Sequence, residues 1–144
     1  MAELLAEGVV AAAQLAEASD RMNEKFEKFA EVVATLRFGV SASVTLESET
    51  FDGFTHFKEL TFTKEDGRWG LYVVSGIEGD EDPTCTSITK CSREMRLRAV
   101  EKLPKLLKAL VANAKTKTEE VDQASESIDS LTRTATSVAN RGRP

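Results

Sequence analysis

Residues 56–75 read HFKELTFTKEDGRWGLYVVS, and the Asp66-Gly67 step near their middle decides the fold. Before it, Leu60 and Phe62 alternate with Glu59, Thr61 and Thr63; after it, Trp69, Leu71 and Val73 share one face. That period of two marks half-buried strands, because successive side chains of a strand point to opposite faces of a sheet. Asp-Gly between two such runs supplies the left-handed backbone positions of a tight hairpin turn at little steric cost. The stretch is therefore a β-hairpin with one apolar face.

Working outward, Phe38, Val40, Ala42, Val44 and Leu46 keep the same alternation, with a turn expected near Phe51-Asp52-Gly53. Residues 37–75 are thus expected to form a three-stranded antiparallel meander with one wet face. Upstream the period changes to that of a helix. Residues 1–36 hold no proline and a single glycine, Gly8, and place Met22, Phe26, Phe29, Val33 and Leu36 in a 4-3-4-3 series. Extended backwards, that register passes through Ser19, Leu15, Ala12, Gly8 and Leu5, so the stripe is bulky at one end and small at the other. At 1.5 Å per residue such a helix is ~50 Å long, more than a domain with a ~13 Å radius of gyration covers. Something else is expected to cover the overhang.

Downstream, residues 76–91 combine Gly76, Gly79 and the run Asp80-Glu81-Asp82-Pro83, and read as an acidic, mobile loop. Ser92 then offers a helix N-cap with Glu94 in the first turn. Leu97, Val100, Leu103, Leu107, Leu110 and Val111 give residues 92–113 a buried stripe, and Pro104 predicts a kink or break near Lys102–Leu103. Residues 116–140 carry Val121, Ala124, Ile128, Leu131, Ala135 and Val138 in a heptad register, thin in bulk and rich in Ser and Thr. A helix of that composition is marginal alone and orders on docking, here expected against the N-terminal half of the first helix.

The expected fold is therefore α+β: a long N-terminal helix, a three-stranded antiparallel meander, a kinked helix and a long C-terminal helix packed as a two-layer domain. All of it is one domain over residues 1–144. Its expected core joins Phe26, Phe29, Val33, Leu36, Phe38, Val40, Val44 and Leu46 to Leu60, Phe62, Trp69, Leu71 and Val73. Val100, Leu103, Leu107 and Leu110 complete it.

Composition limits the function. No uninterrupted apolar run approaches the ~20 residues a membrane span needs. The apolar start carries Glu3 and Glu7 and no Lys or Arg before Arg21, unlike a secretory signal, so a cytoplasmic location is expected. The two cysteines, Cys85 and Cys91, read as free thiols, since Cys-x5-Cys is not a zinc spacing and His56 is the single histidine. The acidic run Glu78, Asp80, Glu81, Asp82 lacks the spacing of a calcium loop, and no phosphate cradle, nucleophile elbow or metalloprotease motif occurs. No catalytic residue, metal or cofactor is expected.

Three readings of function remain. The first is a non-catalytic interaction or assembly module, self-associating or docking to a larger protein through its terminal helices, with Leu5, Ala12, Leu15, Ile128, Leu131 and Val138 as contact candidates. The second is a dimeric nucleic-acid binder. Residues 83–117 hold nine Lys and Arg against two acids, and Arg98, Lys102 and Lys105, with Arg93 nearby, lie opposite the leucine stripe. Residues 47–82 are the reverse, with ten acids against three bases. The third is a ligand-binding or enzymatic domain on the strand face near His56, which requires a deep pocket. In element order alone the chain resembles small bacterial nucleoid-associated proteins, a resemblance that implies a dimer and adds weight to the second reading.

Overall fold

The computed structural model describes residues 1–142. Helix α1 spans Ala2–Thr35, followed by strands β1 (Ala42–Phe51), β2 (Phe54–Glu65), β3 (Arg68–Ile77) and β4 (Thr84–Ser87). A 3-10 turn at Ile88–Lys90 leads into α2, Arg93–Arg141. The class is α+β, as expected, but the sheet has four antiparallel strands in the order β1-β2-β3-β4 rather than three.

Both tight turns have the backbone the sequence asks for. Asp52 and Gly53, and again Asp66 and Gly67, all take positive φ, the signature of a type I′ hairpin turn. The added strand lies inside the stretch expected to be a loop. Thr84–Ser87 pairs with Tyr72–Ser75, so a segment with no apolar alternation is held by main-chain bonds to a neighbour already in place. A register shift in β1 between Thr45 and Glu47 puts Thr45 opposite Glu59 but Glu47 opposite Lys58. The bulge thereby turns Glu47 to the face that carries the helices.

Both helices cover the same face of the sheet, α1 over β3 and the 3-10 turn, α2 over β1 and β2. Leu60, Phe62, Leu71 and Val73 meet Phe26, Ala30 and Val33 of α1 and Met95, Ala99, Leu106 and Leu110 of α2. Phe62 also stacks on Trp69, with ring centroids 5.5 Å apart. The α2 stripe is rotated from the expected one. Leu97 and Val100 are exposed, while Met95, Ala99 and Leu106 are buried. That helix has apolar residues on more than one side, and the small Ala99, fully buried, lets its backbone approach the sheet. Leu36 is exposed as well, at the end of α1, and Ile88 of the 3-10 turn joins the core.

Residues 92–113 and 116–140 belong to one helix, and the break expected at Pro104 does not occur. Pro104 and Val100 are both exposed, so the Val100 carbonyl, which Pro104 leaves without a donor, can be hydrated instead.

Two anchors set the direction of the helices. At one end of the sheet the Arg96 guanidinium of α2 donates to Ser19 O at 3.2 Å, to Ser19 Oγ at 2.6 Å and to Asn23 Oδ1 at 2.7 Å. At the other end Asn113 donates to the Ser41 carbonyl, 2.9 Å away, where the chain returns from α1 into β1. The helices therefore run the same way over the sheet, and their unpacked parts leave by opposite ends. Residues 2–18 of α1 extend ~25 Å beyond the Arg96 anchor, and residues 115–141 of α2 extend ~40 Å beyond Asn113. Every residue of both arms is exposed. The expected docking of the C-terminal helix on the N-terminal half of α1 is thus corrected: the body of the domain lies between them.

Candidate functional site

The most conspicuous surfaces are the arms. In α1 the residues that enter the core, Met22, Phe26, Phe29 and Val33, continue at the same spacing through Ser19 to Leu15, Ala12, Gly8 and Leu5. In α2, Leu103, Leu107 and Leu110 continue through Ala114 and Lys117 to Val121, Ala124, Ile128, Leu131, Ala135 and Val138. In α1 the stripe is core over the body and bare along the arm; in α2 it runs along the edge of the core, with Leu110 buried and Leu103 and Leu107 half-buried, before it too is bare along the arm. The six contact candidates, Leu5, Ala12, Leu15, Ile128, Leu131 and Val138, all lie on these bare stretches. Leu5 is 66% exposed and Leu131 70%. The structure separates them into two groups of three at opposite ends of the domain. A helix buries its apolar stripe where it can, because each large side chain taken out of water contributes ~1.5–3 kcal/mol.

The basic candidates are divided. Arg98 forms an ion pair with Glu47, the residue that the β1 bulge turns toward α2, and Lys58 lies 3.8 Å from the same carboxylate. Lys102 is half-buried, whereas Arg93 and Lys105 are exposed. Arg96, one of the nine basic residues of the 83–117 stretch, is buried and structural. No carboxylate pairs with it among the described residues, and its Nε has no hydrogen-bond partner. Its separation from Ser19 by 77 positions explains why no local pattern points to it.

His56 stacks face to face on Phe51 across the β1–β2 hairpin, with ring centroids 4.4 Å apart. A depression of about 440 Å³ beside it is lined by Glu47, Glu49, Lys58, Ser75 and Thr84. A larger groove, about 750 Å³, runs between α1 and β3, with Phe26, Ala30, Trp69 and Tyr72 on its walls and Glu27, Glu31 and Arg68 among its lining residues.

Neither cysteine is activated. Burial, then the Glu65 carboxylate 3.9 Å away, pushes the Cys85 thiol up. Burial pushes Cys91 up too, with partial relief from Arg96 and Lys58, while its thiol donates to Ser87 O at 3.4 Å. A reactive thiol needs the opposite environment, one that lowers its pKa. Among the described residues no three His, Cys, Asp or Glu side chains are grouped to hold a metal ion, and no helix is long and apolar enough to cross a membrane. No family model, curated protein or solved structure matches the chain.

Proposed function

We propose that this protein is a non-catalytic assembly module, a rigid α+β body that presents two helical arms to protein partners from its opposite ends. The observation that carries the reading is the continuity of each apolar stripe, from the core in α1 and from its edge in α2, onto a bare arm. A solvated spacer helix gains nothing from keeping that register, whereas a docking helix requires it, since anchors at i, i+3, i+4 and i+7 are what a helical partner or groove reads. The Ser- and Thr-rich arm of α2 would be marginal as an isolated helix and gains order from a partner. The two unpaired thiols suit a reducing compartment, which supports a cytoplasmic setting.

The test compares the full chain with two paired variants, Leu5→Asp with Leu15→Asp and Ile128→Asp with Leu131→Asp. These side chains are exposed, so circular dichroism of the body is expected to be unchanged. Light scattering and partner recovery are expected to fall in at least one pair. A full chain that is monomeric and recovers no partner, or assembly indifferent to both pairs, counts against the reading.

Nucleic-acid binding remains the second reading, with Arg93, Lys102 and Lys105 as its contacts. It is less favoured because the central arginine of the basic face, Arg98, is already engaged in an ion pair with Glu47. A salt-dependent shift of duplex DNA that weakens when the three become Gln supports it; no binding at low salt removes it.

A further inference from the structure

The arm of α2 has a property that the stripe alone does not require. Its apolar positions, Val121, Ala124, Ile128, Leu131, Ala135 and Val138, are spaced 3-4-3-4-3, and their sizes run large, small, large, large, small, large. The series is the same from either end. A two-fold axis between Asp129 and Ser130 would set Val121 against the partner's Val138, Ala124 against the partner's Ala135 and Ile128 against the partner's Leu131. Matched layers of this kind are how a two-fold interface complements itself.

We infer that this arm pairs with the same arm of a second copy, antiparallel, making a homodimer whose two bodies lie at opposite ends of a short coiled coil. The inference rests on the reading of the arms as docking helices and names the occupant of one of them. Charge selects this arrangement. With the six apolar residues at the seam, one flank carries Glu120, Ser127, Thr134 and Arg141, and the other carries Thr118, Ser125, Thr132 and Ala139. Antiparallel pairing brings Glu120, whose carboxylate already holds Lys117 of its own chain at 2.7 Å, beside the partner's Arg141 as a second cation, twice per dimer, and Ser127 beside the partner's Thr134. The other acids, Glu119, Asp122, Glu126 and Asp129, fall on the outward face. Ser, Thr and Ala elsewhere on the flanks place no like charges together.

The parallel alternative is disfavoured by two features. Lys117 occupies a seam position one step before Val121, so parallel pairing would oppose it to the partner's Lys117. It would also bring both bodies to the same end of the seam. In the antiparallel register Lys117 lies beyond the last apolar layer, opposite the partner's Gly142, where it keeps its ion pair with Glu120 of its own chain. The N-terminal arm singles out no such register. Leu4, Val9, Val10 and Ala11 make it apolar around much of its circumference.

The test uses the full chain with Cys85→Ser and Cys91→Ser. One preparation carries Ser127→Cys, the other Thr134→Cys, and each is oxidised with glutathione disulfide alone and after mixing. The expected result is a disulfide-linked dimer in the mixture, at least tenfold more abundant than in either preparation alone. Sedimentation equilibrium on the native chain is expected to show a mass rising with concentration from 15.8 kDa toward twice that value. Helicity measured at 222 nm should rise with it, while Ile128→Asp should stay monomeric with its body folded. A Ser127→Cys chain that links to itself as readily as to Thr134→Cys overturns the antiparallel register. A dimer that persists in Ile128→Asp assigns the contact to another surface; it overturns this inference and leaves the docking reading standing. A native chain monomeric at every concentration overturns it as well, and the docking reading is then decided separately by partner recovery through the same stripes.

Discussion

Replacing Arg96 is expected to loosen the joint on which the placement of both arms depends. The side chain is 7% exposed, carries no ion-pair partner among the described residues, and reaches from α2 to α1 through three hydrogen bonds. A hydrogen bond to a charged group contributes ~1.5–3 kcal/mol net of the water contacts it replaces, and these three are what hold the guanidinium in a buried position. Arg96→Ala removes all three, opens a void and leaves acceptors on Ser19 and Asn23 without this donor. The charge leaves with the side chain, so the cost is that of a void and of neutral acceptors on half-buried Ser19 and Asn23 that water partly reaches, ~3 kcal/mol. For a chain of this size that lowers Tm by roughly 6–12 °C.

Arg96→Met keeps the aliphatic stem and removes the desolvated charge, so it should cost only ~1 kcal/mol. Urea unfolding followed by circular dichroism measures both. Amide hydrogen exchange should show the loss locally, as faster exchange through residues 19–26 of α1. The reasoning is refuted if Arg96→Ala unfolds within ~0.5 kcal/mol of the native chain, or if Arg96→Met is as damaging as Arg96→Ala.

Three further outcomes follow from the same structure. Gly67→Ala should cost ~1–2 kcal/mol in urea unfolding. Gly67 sits at φ +81°, and since an added Cβ meets nothing within 4 Å, the cost is backbone strain alone. A chain ending after Ala114 should keep the unfolding midpoint of the full chain at dilute concentration, because residues 115–142 bury nothing in the body. A drop of more than ~1 kcal/mol contradicts the placement of the arm. Cys85 should react with iodoacetamide at pH 8 more slowly in the native chain than in urea. Its folded pKa lies above the unfolded value, so the native thiol holds its proton to higher pH and less thiolate is present. By the same sign, the stability linked to that proton is full below the unfolded pKa and is lost as pH rises through the folded one.

The sheet was largely legible because its signals are local. The alternation around Leu60 and Phe62 and the Asp-Gly turn are set by neighbouring residues, and both survive unchanged in the fold. Strand β4 was hidden because Thr84-Cys85-Thr86-Ser87 has no apolar face; it exists through pairing with β3, a partner no local pattern reveals. Pro104 misled in the opposite direction. Its penalty assumes a carbonyl left in a dry interior, and at an exposed position water relieves it.

Both apolar stripes of the arms were visible as periodicity, and all six contact candidates lie on them. Their separation to opposite ends was not visible. It depends on Arg96 meeting Ser19 and Asn113 meeting Ser41, contacts between residues more than 70 positions apart. The rotation of the α2 stripe was missed for a related reason. A helix apolar on several sides has its buried face chosen by the sheet beneath it, through the small Ala99.

The most direct measurement is site-specific photo-cross-linking in the cell, with the probe at Leu15 or Leu131 on the stripes and at Glu126 on the opposite face of the α2 arm. The account predicts discrete adducts from the stripe positions, a second copy of the chain among those from Leu131, and none from Glu126. Equal labelling of both faces, or no adduct from either stripe, would contradict it and leave the arms as solvated helices.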